Sequence, residues 1–449
     1  MNDVALDVRS LPPGPGRIGP LDVMRWAQNP FPLLERYAAR FGDAFTLELP
    51  GFGSPIVVVS HPDAVKDAFA LGPDEGHAGK TNAVLKPLLG RHSLLLLDGA
   101  EHLRHRKLLL PAFHGERMHA YGQAMFDLAR ESIDSWPLGR PFAVQPRMAS
   151  ITLNVIARTV LGAGSGALLS ELVEVLSQTL DSGASPLLLF PVLQRDLGSL
   201  SPWGRFVRRR DNATRLLHDA IRRAREERLS GRSDVLTMML EAKDEQGRSL
   251  GDDELHDELM SLLVAGYETT ATALSWGLRW VLPDRELMSR LREEVSGAGG
   301  DPLRIQQLDL LDRTVKETLR LQPLFALLGR ELMQETAIGD LTLPAGVIVS
   351  PAIHLVHRRP ELYPAPERFA PDRYLSFKPK PYELFPFGGG LRRCIGAAFA
   401  SYEMKMVLAA LLSRIDAHLV SERVRVVRRG VTMAPEKGLP IVVDAVHGE

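Results

Sequence analysis

Between Asp252 and Leu282 the chain runs for about 30 residues without a proline, and Pro283 stops it. At about 1.5 Å per residue such a helix is roughly 45 Å long, enough to cross a whole domain, so the rest of the fold has to be arranged around it. Its middle, LLVAGYETTATALSWGL (262–278), is nearly uncharged, which predicts burial on most sides. Ser249 with Asp252 resembles a capping box at its start. Glu268 is the oddity, because a lone carboxylate is rarely buried without a purpose.

The chain has 449 residues, more than one hydrophobic core usually organises, which suggests a large single domain or two to three lobes. A 45% hydrophobic and 24% charged composition is ordinary for a globular protein, and a net charge of -1 gives no push toward nucleic acid or anionic membrane. The N-terminus lacks a signal-peptide pattern, and no run of about 18 apolar residues suggests a spanning helix. A soluble, cytoplasmic protein is therefore expected. Residues 11–20 hold four prolines and three glycines and read as an irregular leading segment.

Helical spacing dominates from about residue 115 to 320. Strand-like runs are SPIVVVS (54–60), DLTLPAGVIVSPAI (340–353), VRVVRR and LPIVVDAV near the C-terminus. The expected fold is mainly helical with a small β lobe built from chain ends.

The one cysteine of the chain, Cys394, rules out an intrachain disulfide and fits a reducing compartment. It lies in FGGGLRRCIGAAFA (387–400), a loop with little to pack a thiol against. A stripe of Met404, Val407, Leu408, Leu411, Leu412 and Ile415 predicts a helix over Ala397–Ile415. Cys394 then sits at or just before a helix N-terminus, beside Arg392 and Arg393. Backbone N–H groups, the dipole and the two guanidiniums all favour thiolate. A nucleophile would want a nearby histidine, and a zinc site further Cys or His at short spacing. The local sequence offers neither. A single thiolate suits haem, whose porphyrin supplies the other four donors.

Phe387, Gly390, Arg392, Cys394 and Gly396 resemble the haem-binding signature of the cytochromes P450. Other segments follow in family order. AGYETT (265–270) puts Ala265, Gly266 and Thr269 on one helix face and resembles the family's oxygen-activation motif, an acid followed by an alcohol. The threonine hydroxyl can bond back to a carbonyl and open the helix locally, and Glu268, rotated about 100° away, can pass protons from solvent. KETLR carries Glu317 and Arg320, which alone read as a surface ion pair. They resemble the buried Glu-x-x-Arg element that is joined by a later arginine, here Arg373, and braces the loop from behind. HRRPELYPAPERF also resembles the family, with Arg359 where an acid is often found.

The resemblance implies a single P450 haem domain over residues 1–449, with haem b held by Cys394. His102 and Arg106, one helical turn apart, together with Arg330 and Arg392, are expected to face its propionates. It further implies a monooxygenase using O2, with Glu268 and Thr269 catalytic, and electrons from NAD(P)H through a ferredoxin or flavodoxin and its reductase. With about 50 residues after the loop, no reductase domain is expected. An acidic partner is expected to dock on Arg104, Lys107, Arg393 and Lys405. The pocket is expected to include Val264, Phe325, Ala326, Leu327, the segment DSGASPLLLFPVL (181–193) and the turn near Pro435. Its apolar character points to a terpenoid, fatty acid or steroid-like substrate. A monomer without nucleic-acid partner is expected. The rival functions are an H2O2-using peroxygenase, disfavoured by the intact acid–alcohol pair, and a haem-based gas sensor or non-catalytic binder.

Overall fold

The structure, a computed structural model, describes residues 11–50, 53–113, 117–162, 166–183, 194–226 and 234–448, with the side chains of 117–120 and 180–183 outside that description. The chain divides into two compact units, one formed within Met1–Ala83, Leu95–Leu103 and Leu319–Cys394, the other within Val84–Leu94, Arg104–Thr318 and Ile395–Glu449.

The first unit is built on a six-stranded sheet in the order Gly16–Arg17, Ala44–Glu48, Ile56–Val59, Ile348–Pro351, Arg330–Leu332 and Gly76–His77. Ile56–Val59 pairs antiparallel with Ala44–Glu48 and parallel with Ile348–Pro351. Its four residues are all buried, and the period of two sends Val57 and Val59 into one apolar cluster and Ile56 and Val58 into another. A strand covered on both faces has to be a continuous apolar run.

The second unit is helical around Asp252–Val281, which packs on Gln145–Leu161; Ala397–Arg414 packs on Arg117–Ile133. The long helix starts differently from the expected capping box. Gly251 is its N-cap, and Glu254 Oε2 accepts the Gly251 N–H at 2.8 Å. Ser249 takes no part, because the chain turns two residues later than the pattern suggests. The C-terminal strands are not in the six-stranded sheet, contrary to a β lobe made of both chain ends. Pro440–Val446 pairs antiparallel with Ile415–Leu419 on one side and with Phe142–Ala143 on the other, and Val426–Arg429 forms a hairpin with Thr432–Pro435. Among the described residues no helix is long and apolar enough to cross a membrane.

Two buried histidines in the first unit stay neutral and give the fold a pH dependence. Arg358 Nη1 donates to His354 Nδ1 at 2.8 Å, and His354 Nε2 faces Glu35 Oε1 at 2.6 Å. Burial, with the Arg358 charge adding to it against Glu35, pushes His354 down to about 4. His357 Nε2 accepts the Phe385 N–H at 2.9 Å, so its proton is on Nδ1, facing Arg320 O at 3.3 Å. Burial and Arg320 hold it well below its usual range. The unfolded chain protonates both below about pH 6.5 while the folded chain does not, so stability falls as pH drops from about 6.5 toward 4. His354 alone accounts for about 3 kcal/mol of that loss. Urea midpoints at pH 7 and 4.5 should show it, with a smaller loss in His354→Gln; equal losses in parent and variant would contradict the assignment.

Candidate functional site

In the first unit the loop leading to Cys394 is shaped by close approach to Phe69. A Cβ on Gly389 would lie 2.3 Å from the Phe69 ring, and one on Gly390, where φ is +62°, would lie 1.9 Å from Phe69 O. Both positions therefore need glycine. The Gly390–Arg392 turn follows, the Cys394 N–H donates to Phe387 O at 2.9 Å, and the thiol is exposed. Gly396 is the N-cap of Ala397–Arg414, and a Cβ there would meet nothing within 4 Å. Glycine at that position is not demanded by the protein's own packing, which fits a flat group lying against the loop.

Behind the loop, Arg320 is fully buried and Nη1 donates to the carbonyls of His357 (2.7 Å) and Pro366 (2.8 Å). Arg320 Nη2 and Arg373 Nη2 both donate to Arg368 O, at 3.3 and 3.0 Å. Glu317, one turn earlier on the same helix, is also fully buried. The surface-pair alternative is thereby excluded, and Arg320 and Arg373 come together on Arg368 O. His357, which the sequence does not single out, extends that network through Phe385 N toward the loop.

The loop also borders a shallow recess lined in part by Phe69, His102, Arg330, Gly389 and Arg392. Arg330 and His102 are buried. Burial, with the charge of Arg392 next in size, pushes the Arg330 guanidinium down to about 10, against the opposing pull of Asp98. Arg392 is bonded to Asp98 and to Leu97 O. Asp98 Oδ1 also accepts the N–H groups of Ala78 (2.8 Å) and Gly79 (3.0 Å). Sequence reasoning missed this residue. Two guanidiniums against one carboxylate leave a cluster whose buried charge is best balanced by further anions. Its donors suit the two propionates of a haem. Arg106, one turn after His102 on the helix Gly99–Leu109, is half-buried and falls in the second unit.

In the second unit the long helix is buried before and after its centre but not at it. Ala265 is exposed, and Val264, Glu268 and Thr269 are half-buried. Thr269 Oγ1 donates to Ala265 O at 2.5 Å, the expected back-bond. Gly266, on the same face by sequence spacing, does not border open space. A Cβ there would come 2.9 Å from Ile156 Cγ1, so this glycine serves the approach of Gln145–Leu161. Glu268 is not a lone buried acid: Oε1 lies 3.3 Å from Nε of Arg429.

Comparison with known proteins accounts for this set. The cytochrome P450 family profile matches residues 12–440. The chain belongs to the cytochrome P450 family. A Mycobacterium tuberculosis protein provisionally named cytochrome P450 135B1 is 39% identical over 443 residues, covering 97% of this chain and 92% of that one. Another from the same species, provisionally named cytochrome P450 138, is 34% identical over 92% of this chain and 91% of its own length. The solved structure titled retinoic acid bound cyanobacterial CYP120A1 superposes with a TM-score of 0.82 at 26% identity, covering 97% of this chain and all of that one. The P450 fold and the general class of haem monooxygenase follow.

Other expected P450 features are placed less uniformly. Phe325 packs against the Val57–Val59 cluster, and Ala326 and Leu327 against the one containing Phe45. Pro435 is buried opposite Val426 at the base of the hairpin, directly before the turn Glu436–Gly438, and the hairpin itself turns at Gly430–Val431. The segment 184–193 of the expected pocket lies outside the described residues, as do the side chains of 181–183. Arg359, standing where an acid is common, pairs with Asp43 at 2.5 Å.

The docking expectation needs correction. Lys405 is buried, with Nζ donating to Gln306 O at 2.6 Å and 3.2 Å from Asp312. Arg104 is committed to Asp244 (2.8 Å) and Glu254 (2.9 Å). Lys107 is exposed although it pairs with Glu245, and Arg393 is exposed.

Proposed function

We propose that this P450 takes electrons from NAD(P)H through a separate ferredoxin or flavodoxin and its reductase, and inserts one atom of O2 into an apolar small molecule. The observation that carries it is the opening at the centre of the long helix, where exposed Ala265 stands one turn before Thr269 and the acid Glu268 is adjacent.

Bound haem b would supply O2 binding and one-electron chemistry at iron, with thiolate ligation favouring O–O cleavage. The chain's residues supply the rest. Cys394 would ligate the iron, braced by Arg320 and Arg373. Arg330, Arg392 and His102, with Arg106, would hold the propionates. Glu268 moves protons from solvent, and the Thr269 hydroxyl, poised on Ala265 O, directs them. Of the four cations expected to meet an acidic partner, Arg393 and Lys107 are the exposed ones.

The substrate class is an isoprenoid, fatty acid or steroid-like molecule. Support comes from apolar Val264 at the helix opening and from a structural relative whose title names retinoic acid as its ligand.

The test is turnover with NADPH, a plant-type ferredoxin and its reductase under ¹⁸O2, over retinoic acid, lauric acid, a sesquiterpene and a steroid. Incorporation of ¹⁸O into one of them, preceded by a substrate-induced change of the haem absorption spectrum, is expected. Product with H2O2 alone and none with NADPH would establish the peroxygenase. Gas binding without turnover on any compound would leave the sensor.

A further inference from the structure

Glu268 is tied to the C-terminal hairpin. Its Oε1 lies 3.3 Å from Arg429 Nε, and the two side chains are 20% and 31% exposed. Both are half-buried, so the attraction is screened less than that of a fully exposed pair. Arg429 is the last residue of Val426–Arg429 and pairs with Thr432 across the Gly430–Val431 turn. The hairpin is itself pinned to the same helix, because the Trp276 indole N–H donates to Met433 O at 2.9 Å. Trp276 lies about two turns beyond Glu268. The ladder and the indole bond thus fix where the Arg429 backbone stands relative to the helix, and so which guanidinium positions are within reach of the acid. A glutamate side chain has three rotatable bonds, and an unpaired one would sample several directions.

We propose that Arg429 is a positioning residue for Glu268, holding its carboxylate in the orientation from which protons pass toward Thr269. This rests on the monooxygenase reading of Glu268 and Thr269. Proton supply is then set by a residue 161 positions away in the chain (429 − 268), through the hairpin rather than through the helix.

The experiment compares Arg429→Gln, Arg429→Lys, Glu268→Gln and the Arg429→Gln/Glu268→Gln double variant in the haem-loaded protein. Thermal unfolding comes first and needs no turnover. The double variant should lose less stability than the sum of the two single losses; additive losses would show that the pair does not form and would overturn the proposal. NADPH consumption is then measured with a plant-type ferredoxin, its reductase and lauric acid, in H2O and D2O. Arg429→Gln should lower the rate about fivefold and at least double the solvent isotope effect, and Arg429→Lys should recover most of both. A residue that only supports the fold would leave the isotope effect where it was, and that outcome would also overturn the proposal. If Glu268→Gln is slowed while Arg429→Gln matches the parent, the assignment of Arg429 fails alone. If Glu268→Gln itself matches the parent, the reading of the acid fails, and the inference with it.

Discussion

Cys394→Ala should abolish the strongly red-shifted Soret band expected of the reduced, CO-treated parent protein, while leaving the fold standing. The two halves of that result have separate causes. Thiolate donation to iron is what shifts the band, and Cys394 is the only thiol in the chain, so no other residue can replace it in kind. Its side chain is exposed, and its backbone N–H bond to Phe387 O survives truncation. An exposed side chain that packs against little costs about 0.5 kcal/mol or less to remove. Thermal unfolding of the haem-free protein should therefore be nearly unchanged while the spectrum changes completely. A parent protein with an ordinary imidazole-type band, or a variant that keeps the red-shifted one, would remove Cys394 from its role.

Much of this could be seen in the sequence because it is local. The long helix and Ala397–Arg414 are periodic and lie next to proline or glycine, and the apolar runs at Ile56–Val59 and Pro440–Val446 are bounded by turn residues. Ile415–Leu419 was not visible, since it begins directly at the end of a helix with no glycine or proline between them. Arg330–Leu332 has three residues and exists because Arg330 and Glu331 pair with Val349 and Ile348. The site divides in the same way. A lone thiol in a glycine loop announces itself, whereas Phe69, which makes two of those glycines necessary, is more than 300 residues earlier. Asp98 and Arg429 meet their partners only in the folded chain. Lys405 misleads for a related reason: its charge suggests the surface, but Gln306 O and Asp312 accept its ammonium in a buried position.

Thr269→Ala should keep haem and substrate binding but divert most of the consumed NADPH into hydrogen peroxide. The hydroxyl is not placed to ligate anything, since its hydrogen goes to Ala265 O at 2.5 Å on its own helix. Removing it from a half-buried position leaves no polar atom stranded except a carbonyl already within the helical ladder, so the stability change should stay near or below about 1 kcal/mol. What is lost is the group proposed to direct protons from Glu268. A deleted general acid–base or proton-relay group typically costs 10²–10⁴-fold in the step it serves. Electron delivery is untouched, so NADPH consumption continues while product per NADPH falls at least tenfold. The measurement is the ratio of product, peroxide and NADPH in one reaction with the best compound of the panel. Thr269→Ser, which keeps the hydroxyl, should recover most of the coupling. Unchanged coupling in the alanine variant would refute the role assigned to the hydroxyl, because the back-bond alone would then be a local feature of the helix.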